Sequence, residues 1–324
     1  MAAMEIAPGI HRIEAPLGER VCAMYLLAGA ERAVLIDTGI AGNVASHVMP
    51  YLTTIGLDPD HVRLILISHA DVDHSGDTAA AVASFPNALL TCHSDDADEI
   101  ADVDVMISKR YGQFTVDHGI SDPPEATAWV RAAGRSVPVH LQLTGGERVR
   151  LEPGWEVDIL HTPGHSLGHL TVWDPRSRAA IILDAALGRT VPTADGRPSL
   201  PPTYRYVGRY RASLDAIGEM DAHLLLASHE PVMDRAKGRA FLAASRSFSL
   251  EAERHILDVL QEHGPLATIP LLHAVGPRLG PWPVETVLSA LAFPVVGELE
   301  HLVEIGCVRA GHGPDGLITW EVIS

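Results

Sequence analysis

Eight short aliphatic runs, each stopped by Gly, Pro, Asp or His, constrain this chain more than any other feature. They are "MYLLAG" (24–29), "AVLIDTG" (33–39), "VRLILISH" (62–69), "ALLTCH" (88–93), "EVDILHTPGH" (156–165), "LTVWD" (170–174), "AAIILD" (179–184) and "AHLLLASHE" (222–230). Their length, branched residues and turn-forming boundaries specify strands rather than helices. Helical patterns fall between some of them, at 44–56, 75–84 and 210–220, the first stopping at Gly56. Strands from both halves of the chain with helices between them predict an α/β fold of two packed sheets flanked by helices. With 324 residues, 47% of them hydrophobic, the chain has enough apolar side chain for a large domain and a small one.

The ends of the runs carry the chemistry. His69, Asp71, Asp73 and His74 follow one strand in "LILISHADVDHSGD"; His165 follows a second, Asp184 ends a third and His229 ends a fourth. Loops at strand ends are where a rigid scaffold brings distant side chains together. A single histidine in such a place is usually a hydrogen-bonded packing residue. Seven imidazoles and carboxylates at four comparable places are a different matter, because these are the donors that zinc, iron and manganese take. Seven donors exceed one tetrahedral ion and suit two ions with a water or hydroxide between them. A divalent ion lowers the pKa of its bound water to about 7 and so provides hydroxide at neutral pH.

The "HxxxDH" core of "SHADVDHSGD", the "TPGHSLGH" turn, the aspartate of "IILD", the histidine of "LLASHE" and the upstream "AVLIDTG" occur in an order that resembles the metallo-β-lactamase superfamily, over roughly residues 10–235. The resemblance implies an αββα metallo-β-lactamase sandwich with its metal site at one edge between the sheets. It implies that His69 and His165 bind a first metal, that Asp73, His74 and His229 bind a second, and that Asp184 bridges them. The chain departs from the family at Asp71, where a second histidine is usual, so the motif reads HxDxDH. An added carboxylate shifts preference towards iron or manganese; a side chain too short to reach would leave a site with one tightly held ion. Leu183 stands where a glycine usually precedes the aspartate, and Ser228, His229 and Glu230 replace the usual GHG, with Glu230 a carboxylate that could support a ligand. His161, His169 and Asp37 are read as residues that pack or orient ligands, and His93, His118 and His140 belong to no motif.

Two stretches are expected to shape the pocket. Residues 94–140 resemble a helical insertion, and 187–210, "LGRTVPTADGRPSLPPTYRYVGRY", brings tyrosines and arginines close to Asp184 in sequence. Tyr204, Tyr206 and Tyr210 are candidate substrate-binding phenols, able to donate to a developing oxyanion or to pack against the sheet. From about residue 245, three helical patterns, one containing Pro294, precede a hairpin with "GPDG" at its turn. Together they resemble a small winged-helix-like domain over 245–324, appended to a catalytic domain over 1–240.

Charge and composition narrow the function. The net charge is −17, and residues from 245 onward carry four arginines, no lysine and ten acids, so neither the chain nor its C-terminal part has the basic surface that nucleic acid requires. The C-terminal part is expected to serve dimerisation, giving a homodimer, or closure over the site. Three dispersed cysteines, Cys22, Cys92 and Cys307, make no disulfide framework and read as small packing residues. The absence of a leader or an apolar run of some eighteen residues predicts a cytoplasmic protein without a membrane partner. The expected activity is a dinuclear, metal-dependent hydrolysis of a small-molecule ester, thioester or lactone, with Asp73 orienting the nucleophile and two divalent ions, zinc first, iron or manganese as alternatives. Asp71 motivates a competing di-iron oxidoreductase or oxygenase; a metal-binding protein without turnover is the third option.

Overall fold

The computed structural model describes residues 3–323 and pairs the strands into two large sheets. The first has the order β1 (Ala3–Ala7), β2 (Ile10–Leu17), β3 (Arg20–Ala28), β4 (Ala33–Ile36), β5 (Val62–Leu66), β6 (Leu89–His93), β7 (Leu141–Leu143), antiparallel as far as β4 and parallel beyond it. The second sheet contains β8 (Arg148–Glu152), β9 (Trp155–His161), β10 (Leu170–Asp174), β11 (Ala179–Leu183), β14 (Leu224–Ala227) and β15 (Met233–Asp234), in the order β15-β14-β11-β10-β9-β8. A small ribbon, β12 (Val191–Pro192) with β13 (Pro198–Leu200), lies between β11 and β14 in sequence.

Alternation along each strand explains the layers. On β3, Ala23, Tyr25 and Leu27 point into a core shared with Trp155, Val157 and Ile181 of the opposite sheet. Met24 and Leu26 point the other way, to Val44, Leu52 and Phe85 of the outer helices. On β11, Ala179, Ile181 and Leu183 face the first sheet, while Ala180 and Ile182 face helices from the C-terminal part. Strands buried on both faces must be apolar throughout, which is why these segments read as continuous runs. The result is the αββα sandwich with a helical C-terminal region.

The C-terminal part differs from expectation in two respects. It consists of helices Arg235–His263, Thr268–Leu279 and Val284–Glu304 and a small sheet in which β18 (Ile318–Val322) pairs with both β16 (Leu266–Ala267) and β17 (Val308–His312). The boundary placed at 240–245 falls inside the helix Arg235–His263, which starts at an Asp234 cap that accepts the Lys237 N–H at 2.9 Å. Ile182 and Leu225 of the second sheet share one core with Leu271, Leu291 and Leu299, so the two parts are packed as one body. Helix Val284–Glu304 also corrects the expectation that no apolar run is long enough to span a membrane: its most apolar 18 residues have a mean hydropathy of 1.4. In this fold its Leu291, Val295, Val296 and Leu299 are fully buried against the other helices.

That helix also buries a carboxylate. Glu298 is 0% exposed and accepts hydrogen bonds from Tyr204 Oη at 2.9 Å, Ser249 Oγ at 2.6 Å and Arg211 Nη2 at 2.8 Å. Burial pushes its carboxyl from 4.5 up to about 7, against the pull of Arg211, Ser249 and Tyr204. The folded chain thus holds this proton where the unfolded chain has released it, so the group's contribution is complete below about pH 4.5 and is lost as pH rises through about 7. Glu298→Gln cannot lose that proton. Its stability relative to wild type, from denaturant titrations at pH 5 and pH 8, is expected to improve by about 1–3 kcal/mol towards the higher pH; parallel pH profiles would refute the assignment.

Candidate metal centre

All the motif residues sit on loops at one rim of the sandwich. Asp37 follows β4; His69, Asp71, Asp73 and His74 follow β5, the last two in the single helical turn Val72–Ser75. His165 lies between β9 and β10, Asp184 follows β11 and His229 follows β14. Since β4 and β5 run parallel, as do β11 and β14, their carboxyl ends open on the same rim. Leu183 has φ +47°, the left-handed region that favours glycine. This accounts for the glycine usual in the family; here the Leu183 side chain is buried in the inter-sheet core.

Each of the four histidines has its Nδ1 held by an acceptor. His69 Nδ1–H donates to Ser68 Oγ at 2.9 Å, and Ser68 Oγ–H donates to Asp37 Oδ2 at 2.8 Å. His74 Nδ1–H donates to the same Asp37 oxygen at 2.8 Å, His165 Nδ1–H to the Thr203 carbonyl at 3.0 Å and His229 Nδ1–H to the Val21 carbonyl at 2.7 Å. These partners select the tautomer that leaves the Nε2 lone pair facing inward, as in metal sites whose ligands are oriented from behind. Asp37 therefore orients ligands, in keeping with its sequence context. Asp96, from the insertion, accepts Ser166 Oγ–H at 2.6 Å, Gly168 N–H at 2.7 Å and Ala70 N–H at 3.1 Å, pinning the two motif loops together. A side chain at Gly168 would place its Cβ 2.7 Å from Asp96 Cγ.

The inward atoms fall into two groups. In one, His74 Nε2 lies 3.7 Å from Asp73 Oδ2 and 3.6 Å from Asp184 Oδ2, and His229 Nε2 lies 3.6 Å and 3.3 Å from the same two oxygens. Neighbouring donors about 2.1 Å from one tetrahedral ion are roughly 3.4 Å apart. His74 Nε2 and Asp184 Oδ1, like the adjacent His69 Nε2, are buried without a hydrogen-bond partner. Orphaned buried acceptors at this spacing fit a divalent cation. Burial opposes charge here, yet His229 and His74 hold the Asp184 carboxyl well below its usual range. Cys22, expected only to pack, joins the group: its thiol donates to the Asp73 carbonyl at 3.1 Å and lies within 4.8 Å of ligand atoms of Asp73 and His74.

The other group, His69, Asp71 and His165, also brings its ligand atoms within 4.8 Å of one another, but a guanidinium lies among them. Arg110, from the insertion, binds Asp71 in bidentate fashion, Nε to Oδ1 at 2.9 Å and Nη2 to Oδ2 at 3.0 Å, while Nη2 also lies 3.0 Å from His165 Nε2 and Nη1 donates to the His165 carbonyl at 2.8 Å. Asp71 Oδ2 and His165 Nε2 are only 2.7 Å apart, too close to be neighbouring tetrahedral ligands. Against its burial, Asp71 is held well below the usual carboxylate range, chiefly by the charge of Arg110. His165 is lowered by burial and by Arg110. Asp71 and His165, expected as metal ligands, are both in contact with the Arg110 guanidinium.

A cavity of about 250 Å³ opens above both groups, with Asp71, Asp73, Asp184 and His229 on its floor and Leu17, Trp129, Leu200 and Phe293 among its walls. Tyr204, Tyr206 and Tyr210 do not line it. Tyr204 and Tyr210 are fully buried and stacked 4.4 Å apart beneath the C-terminal helices, and Tyr206 lines a separate groove with Arg205 and His301. The phenol in the cavity is Tyr111, next to Arg110, whose oxygen accepts the Val72 N–H at 3.1 Å. His169 stacks on His69 at 5.1 Å and stays behind the ligands.

Comparison with known proteins bears on the family and the fold. A family profile described as metallo-beta-lactamase superfamily matches residues 17–229. A beta-lactamase-like protein 2 homolog of Caenorhabditis elegans is 22% identical over 82% of this chain and 74% of its own. Among solved structures, a metallo-beta-lactamase family protein from Thermus thermophilus superposes with a TM-score of 0.75 at 22% identity, covering 98% of this chain and 100% of that one. A beta-lactamase domain protein from Burkholderia ambifaria gives 0.73 at 18%, covering 99% and 95%. The sec-alkylsulfatase Pisa1 from a Pseudomonas species gives 0.61 at 17%, covering 90% of this chain and 49% of that one. These structural likenesses concern the fold.

If Asp37 orients both His74 and, through Ser68, His69, then Asp37→Asn weakens metal binding without removing a ligand. A drop of about 10–100-fold in zinc affinity, measured by chelator competition, is expected; unchanged affinity in a folded variant would show that the network is idle.

Proposed function

The chain belongs to the metallo-β-lactamase superfamily, and from that premise we propose that it is a metal-dependent hydrolase of a small-molecule carboxylic ester, thioester or lactone. The observation that carries the proposal is the set of inward Nε2 and carboxylate atoms of Asp73, His74, Asp184 and His229, of which Asp73, Asp184 and His229 line the floor of a mostly apolar cavity. Zinc suits this nitrogen and oxygen donor set, with iron and manganese as the competing ions. When bound, a divalent cation supplies a nucleophilic water at neutral pH and a Lewis acid for the carbonyl oxygen.

The chain's own residues do the rest. Asp73 turns one oxygen to the histidines and keeps the other for orienting the attacking water and accepting its proton. Tyr111 accepts the Val72 N–H, so its own proton is free for a substrate oxygen, and burial holds its pKa well above the usual phenol value, keeping that proton at neutral pH. Trp129, Leu200 and Phe293 exclude water and favour an apolar acyl group, and Arg20 at the cavity offers a partner for an anionic tail. Both oxygens of Asp71 are engaged by Arg110, which weighs against the oxidoreductase alternative, for which Asp71 would have to be a ligand. Nucleic acid has no place in this proposal, given the net charge of −17.

Turnover should be sought with metal-loaded protein on aryl esters, acyl thioesters, lactones and a secondary alkyl sulfate. Chelation is expected to abolish hydrolysis and zinc to restore it; loaded, folded protein that hydrolyses none of these, or that contains iron and consumes dioxygen, would defeat the proposal. Tyr111→Phe is expected to lower kcat by about 100–1,000-fold with metal content unchanged; an unaltered kcat removes Tyr111 from the mechanism.

A further inference from the structure

We infer that Arg110 takes the place of a metal ion, so that the centre is built for one divalent cation and one guanidinium instead of two cations. This rests on the hydrolase proposal and specifies its metal requirement. The residues that would hold a first ion, His69, Asp71 and His165, converge within 4.8 Å. What they converge on is a guanidinium: a single nitrogen, Nη2, lies 3.0 Å from both the carboxylate oxygen of Asp71 and the Nε2 of His165. An N–H donor satisfies a carboxylate and an imidazole lone pair much as a metal would, but with longer contacts and permanent charge.

Three further observations support the substitution. Arg110 is fixed from every side: its side chain is 5% exposed, Nη1 is bonded to the His165 carbonyl, and its Cζ stands 4.8 Å over the ring of Phe293 from helix Val284–Glu304. Four of its five N–H groups are committed. Charge gives the second support. Asp71 with Arg110 is already neutral, whereas Asp73 and Asp184 carry two negative charges that one divalent ion balances. Spacing gives the third: the His74 and His229 nitrogens stand 3.3–3.7 Å from the Asp73 and Asp184 oxygens, open enough for an ion between them, while His165 and Asp71 are closed to 2.7 Å. Asp71 and Arg110 therefore act as a pair: the carboxylate at the usual histidine position holds the guanidinium, and the guanidinium excludes the ion.

The test is zinc stoichiometry of the full chain, stripped with chelator, reloaded with zinc, separated from free metal and measured by elemental analysis. Asp95→Asn serves as background throughout, because His93, Asp95 and His161 form a separate trio that could bind zinc. One equivalent is expected. Asp71→His combined with Arg110→Ala, which removes the guanidinium and adds an imidazole, is expected to retain two. His165→Ala should keep the single equivalent and His229→Ala should lose it, so the inference stays testable if the double variant does not fold. Two equivalents before any change at 71 or 110, one equivalent in the folded double variant, or loss of zinc in His165→Ala with retention in His229→Ala would overturn it. No bound zinc at all would overturn the hydrolase proposal as well, whereas two equivalents with ester turnover would overturn only the single-ion centre.

Discussion

Four carboxylates, Asp37, Asp71, Asp73 and Asp184, converge at one rim, and none can be taken out of water without a compensating partner. The rest of the rim can be understood as the means of compensation. Asp37 receives the Ser68 N–H and Oγ–H and the His74 Nδ1–H, so it is neutralised by donors that also turn His69 and His74 inward. Asp71 is neutralised by Arg110. Asp73 and Asp184 face imidazoles and, at Asp73, the Cys22 thiol, with no guanidinium or ammonium paired to them among the described residues, which is why a cation belongs on their side of the rim.

The helical insertion and the C-terminal part meet in support of this arrangement. Arg110 and Tyr111 come from the insertion, Phe293 from helix Val284–Glu304, and the segment after Asp184 connects the two. Arg205 in that segment donates from Nε to Gln113 of the insertion at 2.8 Å and from Nη2 to Glu300 at 2.7 Å. Besides Leu17 and Arg20, the cavity walls are thus made by three stretches far apart in sequence, tied by charged hydrogen bonds whose geometry is bidentate at Asp71 and Glu300.

What could be read from the sequence follows from this division. The strands were legible because both faces are buried, and Asp37 and the clustered motif residues were legible because strand ends deliver them together. β2 was not: "IHRIEAPL" places Arg12 inside the sandwich, where its Nη1 donates to Tyr25 Oη at 2.7 Å and the Ala227 carbonyl at 3.0 Å, so a buried strand looks polar. Arg110 was hidden for a similar reason. Within "SKRYGQF" it looks like a solvated cation, and its partners lie 39 and 55 residues away. The tyrosines of "PPTYRY" promised a pocket but turn under the C-terminal helices, a contact that no local pattern encodes. The expected boundary at 240–245 lies inside a helix because the helical pattern starting near 245 is the second half of a helix that begins at Arg235.

That helix has 29 residues, about 44 Å of continuous rod at 1.5 Å per residue. It leaves the second sheet only a few residues after His229 and ends among the helices that hold Phe293 against Arg110. The C-terminal part is consequently a poor unit of evolutionary exchange. A lineage that swapped it for another module would break a rod, open the core around Ile182 and Leu225, and uncover the aromatic face behind the guanidinium in one step. Sequence drift in the appendage and in the insertion should therefore be correlated, with positions 71, 110 and 293 inherited as a group even where the rest of the surface diverges.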